Sequence, residues 1–211
     1  DEGLDPESAV DLTDSLRDGM VYWDIPKGNW RACVTVKTAP YDYKNERIFY
    51  YIDMLNPDSC HAMIDAIYQP HYERFSKYFG NTFAGFFSDE PGFLNVCYTY
   101  YNKLGIINSP YPWRDDLPQL IAKSAGVDEK EVRVLLPALW ESLGEKSALI
   151  RAHYMDVVTK LYSENFTYML GNWCRERQVM YIGHVIEDMG AHTRLGYGSG
   201  HFFRALDGQD M

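Results

Sequence analysis

Three short apolar runs in this chain each stop at charged residues, and helical periodicity lies between them. The runs are Ile48-Phe49-Tyr50-Tyr51-Ile52, Thr82-Phe83-Ala84-Gly85-Phe86-Phe87 and Val179-Met180-Tyr181-Ile182-Gly183. They are followed by Asp53, by Asp89 and Glu90, and by His184, Glu187 and Asp188. Behind the first run, Asn56-Pro57 reads as a helix cap with proline at the first helical position. Cys60, Met63, Ile64, Ile67 and Tyr68 then recur at helical spacing. Pro70 predicts a kink or a restart, since it has no N–H to give the preceding turn. Between the second and third runs, periodicity predicts helices over about 115–125, 128–142 and 145–176. Strand, helix and strand in alternation call for a parallel sheet with crossover helices. The expected fold class is therefore α/β: a partial (β/α)8, TIM-type barrel with parallel strands over residues 43–211. In such sheets the carboxyl ends of the strands carry the chemistry.

The front of the chain reads differently. Met20-Val21-Tyr22-Trp23-Asp24-Ile25 and Trp30-Arg31-Ala32-Cys33-Val34-Thr35-Val36-Lys37-Thr38 flank a turn at Pro26-Lys27-Gly28-Asn29. Residues 1–42 are expected to form a small antiparallel β hairpin or insertion. A complete barrel takes eight strands in about 250 residues. This 211-residue chain offers three, so a fragment is expected, with sheet edges free for homo-oligomer contacts.

The formal net charge of −10 excludes a nucleic-acid partner, whose phosphates need a basic surface, and an anionic membrane surface. No apolar run reaches the roughly 18 residues of a membrane span, and no signal peptide is visible, which favours the cytoplasm. Cys33, Cys60, Cys97 and Cys174 form no CxxC pair and read as reduced thiols. No cofactor motif is present. A neutral carbohydrate is the partner this charge suits, and the aromatic content of 15% supplies rings on which sugars pack.

Glu90 is the leading catalytic candidate. Glycosidic bonds are cleaved by two carboxyl groups, one of which protonates the leaving oxygen from a partly desolvated position. Glu90 follows an apolar strand and stands beside Asp89, where mutual repulsion raises at least one pKa; helix capping or an arginine partner is the structural alternative. Glu187 is the candidate second carboxylate. His184 stands where it can bond a sugar hydroxyl, and with His192 and His201 it makes a metal site conceivable, although no metal-binding spacing is present. The run Gly196-Tyr197-Gly198-Ser199-Gly200 lacks the ending of a phosphate loop and reads as an active-site loop lined by Arg194, His201 and Arg204. Asp53 could bond substrate or cap the helix that follows. Trp113 and Tyr111 are candidate sugar platforms.

The stretches Tyr51-Ile52-Asp53-Met54-Leu55-Asn56-Pro57, Tyr72-Glu73-Arg74-Phe75, Phe86-Phe87-Ser88-Asp89-Glu90-Pro91-Gly92-Phe93 and Gly183-His184-Val185-Ile186-Glu187 resemble poorly characterised bacterial barrel proteins assigned as glycoside hydrolases. The Asp-Glu-Pro run resembles the fourth-strand motif that carries the acid/base glutamate there. The resemblance covers roughly residues 10–211 and implies a glycosidase in carbohydrate metabolism, with Glu90 as acid/base. It further implies a nucleophile on a later strand, so that the chain alone is inactive. Asp89 stands where the familiar pattern has Asn. Two other readings remain open: a non-catalytic carbohydrate-binding protein, and a metal-dependent hydrolase using the His184 and His201 region.

Overall fold

The computed structural model describes residues 3–39, 41–42, 47–48, 51–93, 105, 110–185 and 200–211. About half of these are helical. The chain forms two compact units, one of residues 1–37 and 118–153, the other of residues 38–117 and 154–211.

In the first unit, α3 (Leu117–Ala125) begins just ahead of the boundary, and α4 (Glu129–Leu135) and the first half of α5 (Glu145–Tyr162) follow. Asp128 caps α4 by accepting from the Lys130 N–H, and Glu129 and Glu131 sit in the first turn, where the helix dipole favours negative charge. The α-helix stops at Leu135 and tightens into a 3-10 turn, Leu136–Leu139. Pro137 accounts for this, because it has no N–H for a further α-helical bond. Ile121, Val132, Leu135, Leu139, Leu143 and Ile150 are buried together in this unit. The N-terminal segment is tied down by Leu4 N–H donating to Ser142 O and by Arg31 paired with Glu141 at 2.9 Å.

The expected hairpin is corrected here. Residues 21–39 form no strand, and pairing near them is limited to a bridge between Arg17 and Met20. Alternation makes a chain extended, but a strand also needs a partner for its N–H and C=O groups. Val34 and Val36 remain 80% and 66% exposed. The two flanks of the turn meet instead through rings: Trp23 and Trp30 pack edge to face at 5.0 Å, and Trp30 Nε1 donates to Pro26 O.

In the second unit, a short antiparallel pair, β1 (Tyr41–Asp42) and β2 (Arg47–Ile48), precedes α1 (Pro57–Met63), capped by Asn56 as expected. A wide π-type turn, Ile64–Tyr68, then leads into α2 (Gln69–Phe75). Pro70 lies in the first turn of α2, where its missing N–H is not required. After β3 (Gly85–Asp89) the chain returns through α5, a second wide turn, Ser163–Thr167, and α6 (Tyr168–Arg175) to β4 (Met180–His184) and α7 (Phe202–Leu206).

The barrel expectation is overturned. Among the described residues the parallel sheet has two strands, β3 and β4; of the 48–52 run, Ile48 lies in β2, Tyr51 and Ile52 lie in no strand, and Phe49 and Tyr50 lie outside the described residues. The residues expected to line a barrel pack on helices: the Phe86 ring stacks on Tyr68 at 4.2 Å and meets Trp173 edge to face at 5.8 Å. The other edge of β4 is held by the tail of the described chain. Asp210 N–H donates to Tyr181 O, Gly183 N–H donates to Met211 O, and Tyr181 N–H donates to Asp210 Oδ2.

Candidate functional site

β3 and β4 run in register from Gly85 opposite Met180 to Asp89 opposite His184. Their approach depends on glycine. A Cβ on Gly85 would lie 2.1 Å from Met180 O, and one on Gly183 would lie 2.3 Å from Ser88 O. Successive side chains alternate across the pair. Phe86, Ser88 and Tyr181 therefore share the covered face, and Phe87, Asp89, Ile182 and His184 share the face toward solvent.

On the solvent face His184 Nε2 lies 3.0 Å from Asp89 Oδ1, and both side chains are substantially exposed. The Phe87 ring is 62% exposed, with its centroid 5.9 Å from that of His184. Glu90 follows at the strand end with φ 45°, in the left-handed region. A non-glycine residue held there costs on the order of 1–3 kcal/mol. The bend turns the exposed Glu90 out of the ladder before Pro91 and Gly92, which are buried. A carboxylate–imidazole pair, an open ring and a further carboxyl group are thus collected at one strand end. The pair can accept from and donate to hydroxyls, the ring can carry an apolar face, and the carboxyl group can transfer a proton.

On the covered face Tyr181 Oη donates to Ser88 Oγ at 3.2 Å, and the Tyr68 phenol also reaches Ser88. Burial pushes Tyr181 up to about 12, although its hydrogen bonding with Ser88 and Gln209 acts the other way. Burial likewise raises Tyr68 and Tyr162, and holds the Cys60 and Cys174 thiols up at about 12. These groups stay neutral near pH 7 and form a floor that does not titrate. The two wide turns help to build it: Tyr68 ends the first, and Tyr162 stands directly before the second. Such turns shift the side chains around them out of simple helical register.

The other expected residues lie apart from this strand end or outside the described residues. Asp53 closes a turn by accepting from Leu55 N–H, while Asn56 caps α1. Arg114 sits beside it, paired with Asp116 at 2.5 Å and donating to Leu55 O at 2.7 Å. Trp113 is half-buried, and Tyr111 packs edge to face on the buried Tyr154 at 5.6 Å. His201 caps α7 by accepting from Arg204 N–H, and Arg204 pairs with Asp156. Glu187, Asp188, His192 and Arg194 lie outside the described residues. Among the described residues no three His, Cys, Asp or Glu side chains gather as metal ligands, and no helix is long and apolar enough to cross a membrane.

Phe87 and the Ser88–Tyr181 pair were missed in the sequence reading. The period of two was there to find them, since Phe87 alternates with Ser88 and so must share a face with Asp89. No local signal pointed to Tyr162. No family model matches the chain, and neither a curated protein nor a solved structure matches it.

Proposed function

We propose that the end of the β3–β4 pair is the acid/base part of a carbohydrate-cleaving site, with Glu90 as the proton donor. The observation that supports this most is the grouping of Phe87, Asp89 and His184 on one open face, with Glu90 next in the chain on a left-handed bend. A sugar ring presents C–H faces that pack on an aromatic ring, and hydroxyls at its rim that bond to carboxylate and imidazole. Phe87 is the platform in this reading, and the Asp89–His184 pair positions the hydroxyls. Glu90 gives a proton to the glycosidic oxygen as the bond to the anomeric carbon breaks. The second carboxyl group of the mechanism is Glu187 or a residue elsewhere in the protein. The net charge of −10 favours a neutral sugar over a polyanion.

The exposure of Glu90 supports a second reading, in which the same face binds carbohydrate without cleaving it, because a general acid works best partly desolvated. A panel of aryl glycosides, assayed with the unaltered protein and with Glu90→Gln, separates the two. Cleavage that falls by at least about 10²-fold in Glu90→Gln supports the catalytic role. Cleavage that persists on a poor leaving group removes Glu90 from it. Saturable sugar binding with no turnover leaves the binding role.

A further inference from the structure

Within the second unit β4 has β3 on one side and the segment 207–211 on the other. Met180 N–H donates to Ala84 O, toward β3, so the alternation of a strand turns the Tyr181 and Gly183 amides the opposite way. Three groups thus face away from β3: the N–H and C=O of Tyr181 and the N–H of Gly183. The segment meets all three. Tyr181 N–H donates to Asp210 Oδ2 at 2.9 Å, Asp210 N–H donates to Tyr181 O at 2.8 Å, and Gly183 N–H donates to Met211 O at 3.0 Å.

The segment is itself anchored on helical elements. Thr167 Oγ1, buried in the second wide turn, donates to Asp207 O at 2.6 Å. Arg175, the last residue of α6, gives Nη1 to Gly208 O at 2.9 Å and to Asp210 Oδ1 at 3.0 Å, and Nη2 to Asn172 Oδ1 at 2.9 Å. None of these Arg175 partners belongs to β4. The Asp210 carboxylate bridges the two, with one oxygen on the guanidinium and the other on the strand backbone. The seat is close. Gly208 has φ 106°, and a Cβ there would lie 2.7 Å from the peptide joining Thr167 to Tyr168.

We propose that Arg175 and Asp210 form a clasp that holds β4 against β3 and so positions His184 opposite Asp89. A two-stranded pair alone is marginal in water, and a slip of one residue would carry His184 to the covered face. The glycine before His184 adds to the need, since glycine gives up the most conformational freedom on being ordered. Its bond to Met211 O restrains the backbone that leads into His184. Arg175 and Asp210 are positioning residues, acting on the strand end through β4. The proposal rests on the site proposed at that strand end, without depending on its ligand being a sugar.

The test is nuclear magnetic resonance on the whole chain, unaltered and with Arg175→Met or Asp210→Ala. Two signals are read: hydrogen exchange of the Gly183 amide, and the Overhauser contact between the Phe87 and His184 rings, whose centroids lie 5.9 Å apart. Loss of the clasp is expected to speed Gly183 exchange about tenfold or more and to weaken the ring contact, with the methyl signals of Ile121 and Leu135 unmoved. Arg175→Lys keeps a cationic donor but not the fork, and should restore part of both signals. It replaces Arg175→Met if that variant does not fold, with exchange then expected to rise about threefold. Both signals unchanged overturn the proposal. Faster exchange with the ring contact intact makes the clasp a stability device alone and overturns it equally. The aryl glycoside panel keeps the two proposals apart. A ring contact that weakens in a protein that neither binds nor cleaves sugar upholds the clasp and removes the carbohydrate reading. Undiminished cleavage in Arg175→Met with an intact ring contact does the reverse.

Discussion

Asp89 and His184 stand opposite each other on the last rung of the β3–β4 ladder, with Oδ1 and Nε2 3.0 Å apart. Both are open to solvent, where an ion pair contributes at most about 1 kcal/mol. The pair is thus better placed to meet a ligand than to hold the strands. Asp89→Asn and His184→Ala are each expected to change unfolding free energy by less than about 1 kcal/mol and to weaken sugar binding about tenfold or more, the loss of one hydrogen bond to a charged group. Denaturant titration and calorimetric binding check the two halves. Equal stability losses with unchanged binding would show the pair to be structural.

Phe87→Ala makes the same point with an apolar group. The ring is 62% exposed, so its removal should move stability by no more than about 0.5 kcal/mol. If the ring carries a sugar face, binding or kcat/KM falls clearly in Phe87→Ala and survives in Phe87→Trp. Kinetics of the three proteins on one glycoside decide it.

Gly85→Ala should be far more damaging than an exposed strand substitution. The new Cβ would lie 2.1 Å from Met180 O, a backbone atom that cannot swing aside. Separating β3 from β4 is expected to cost roughly 2–4 kcal/mol, within the range of severe overpacking. A denaturation midpoint equal to that of the unaltered protein would mean that the strands are not so closely paired.

Alkaline stability follows from the buried thiols and phenols. Cys60 and Cys174 are pushed from an ordinary value of 9.0 up to about 12 by burial, and Tyr181 from 10.0 up to about 12. Between those values the unfolded chain gives up protons that the folded chain keeps, so stability is full below about pH 9 and falls as pH rises toward 12. Cys60→Ala and Cys174→Ala should flatten that decline even where they lower stability at pH 7. Unfolding free energies at pH 7, 9 and 10.5 test it, and identical slopes in variant and parent would contradict the burial of these thiols.

The Arg114–Asp116 pair acts at the other end of the scale. The Arg114 guanidinium holds Asp116 below its ordinary value, so the pair's contribution is present above about pH 4 and is lost as pH falls through the folded value. Asp116 is 42% exposed, and after screening the pair is expected to contribute under about 1 kcal/mol. Arg114→Met should cost more, about 1–2 kcal/mol, because it also removes one of the two hydrogen bonds to the Leu55 carbonyl, the other coming from Asn165 Nδ2. Acid unfolding of Asp116→Asn and Arg114→Met gives the order directly.

Local signals carried far in this chain. Asp128 and Asn56 announced their helices because a cap is a contact between near neighbours. The helical run over 145–175 was legible as one period, and the ends of β3 and β4 were marked by apolar residues giving way to charge. The same pattern picked out Asp89, Glu90 and His184 as strand-end residues.

Everything that depended on distant partners was decided by the tertiary structure. Strand pairing joins residues far apart in sequence, so an alternating run such as Trp30–Thr38 can stay outside any strand, and the described residues of three apolar runs can yield a parallel sheet of two strands. Register alone set Asp89 against His184 and Phe87 beside them. The sequence by itself determined where the longer helical segments lie, which residues are apolar and where the charges fall, because these follow from contacts a few positions apart; the short α7 carried no such periodic signal. Only packing across the fold could bring Tyr68 and Tyr181 together on Ser88, because each comes from a different element and neither has a local reason to be buried there.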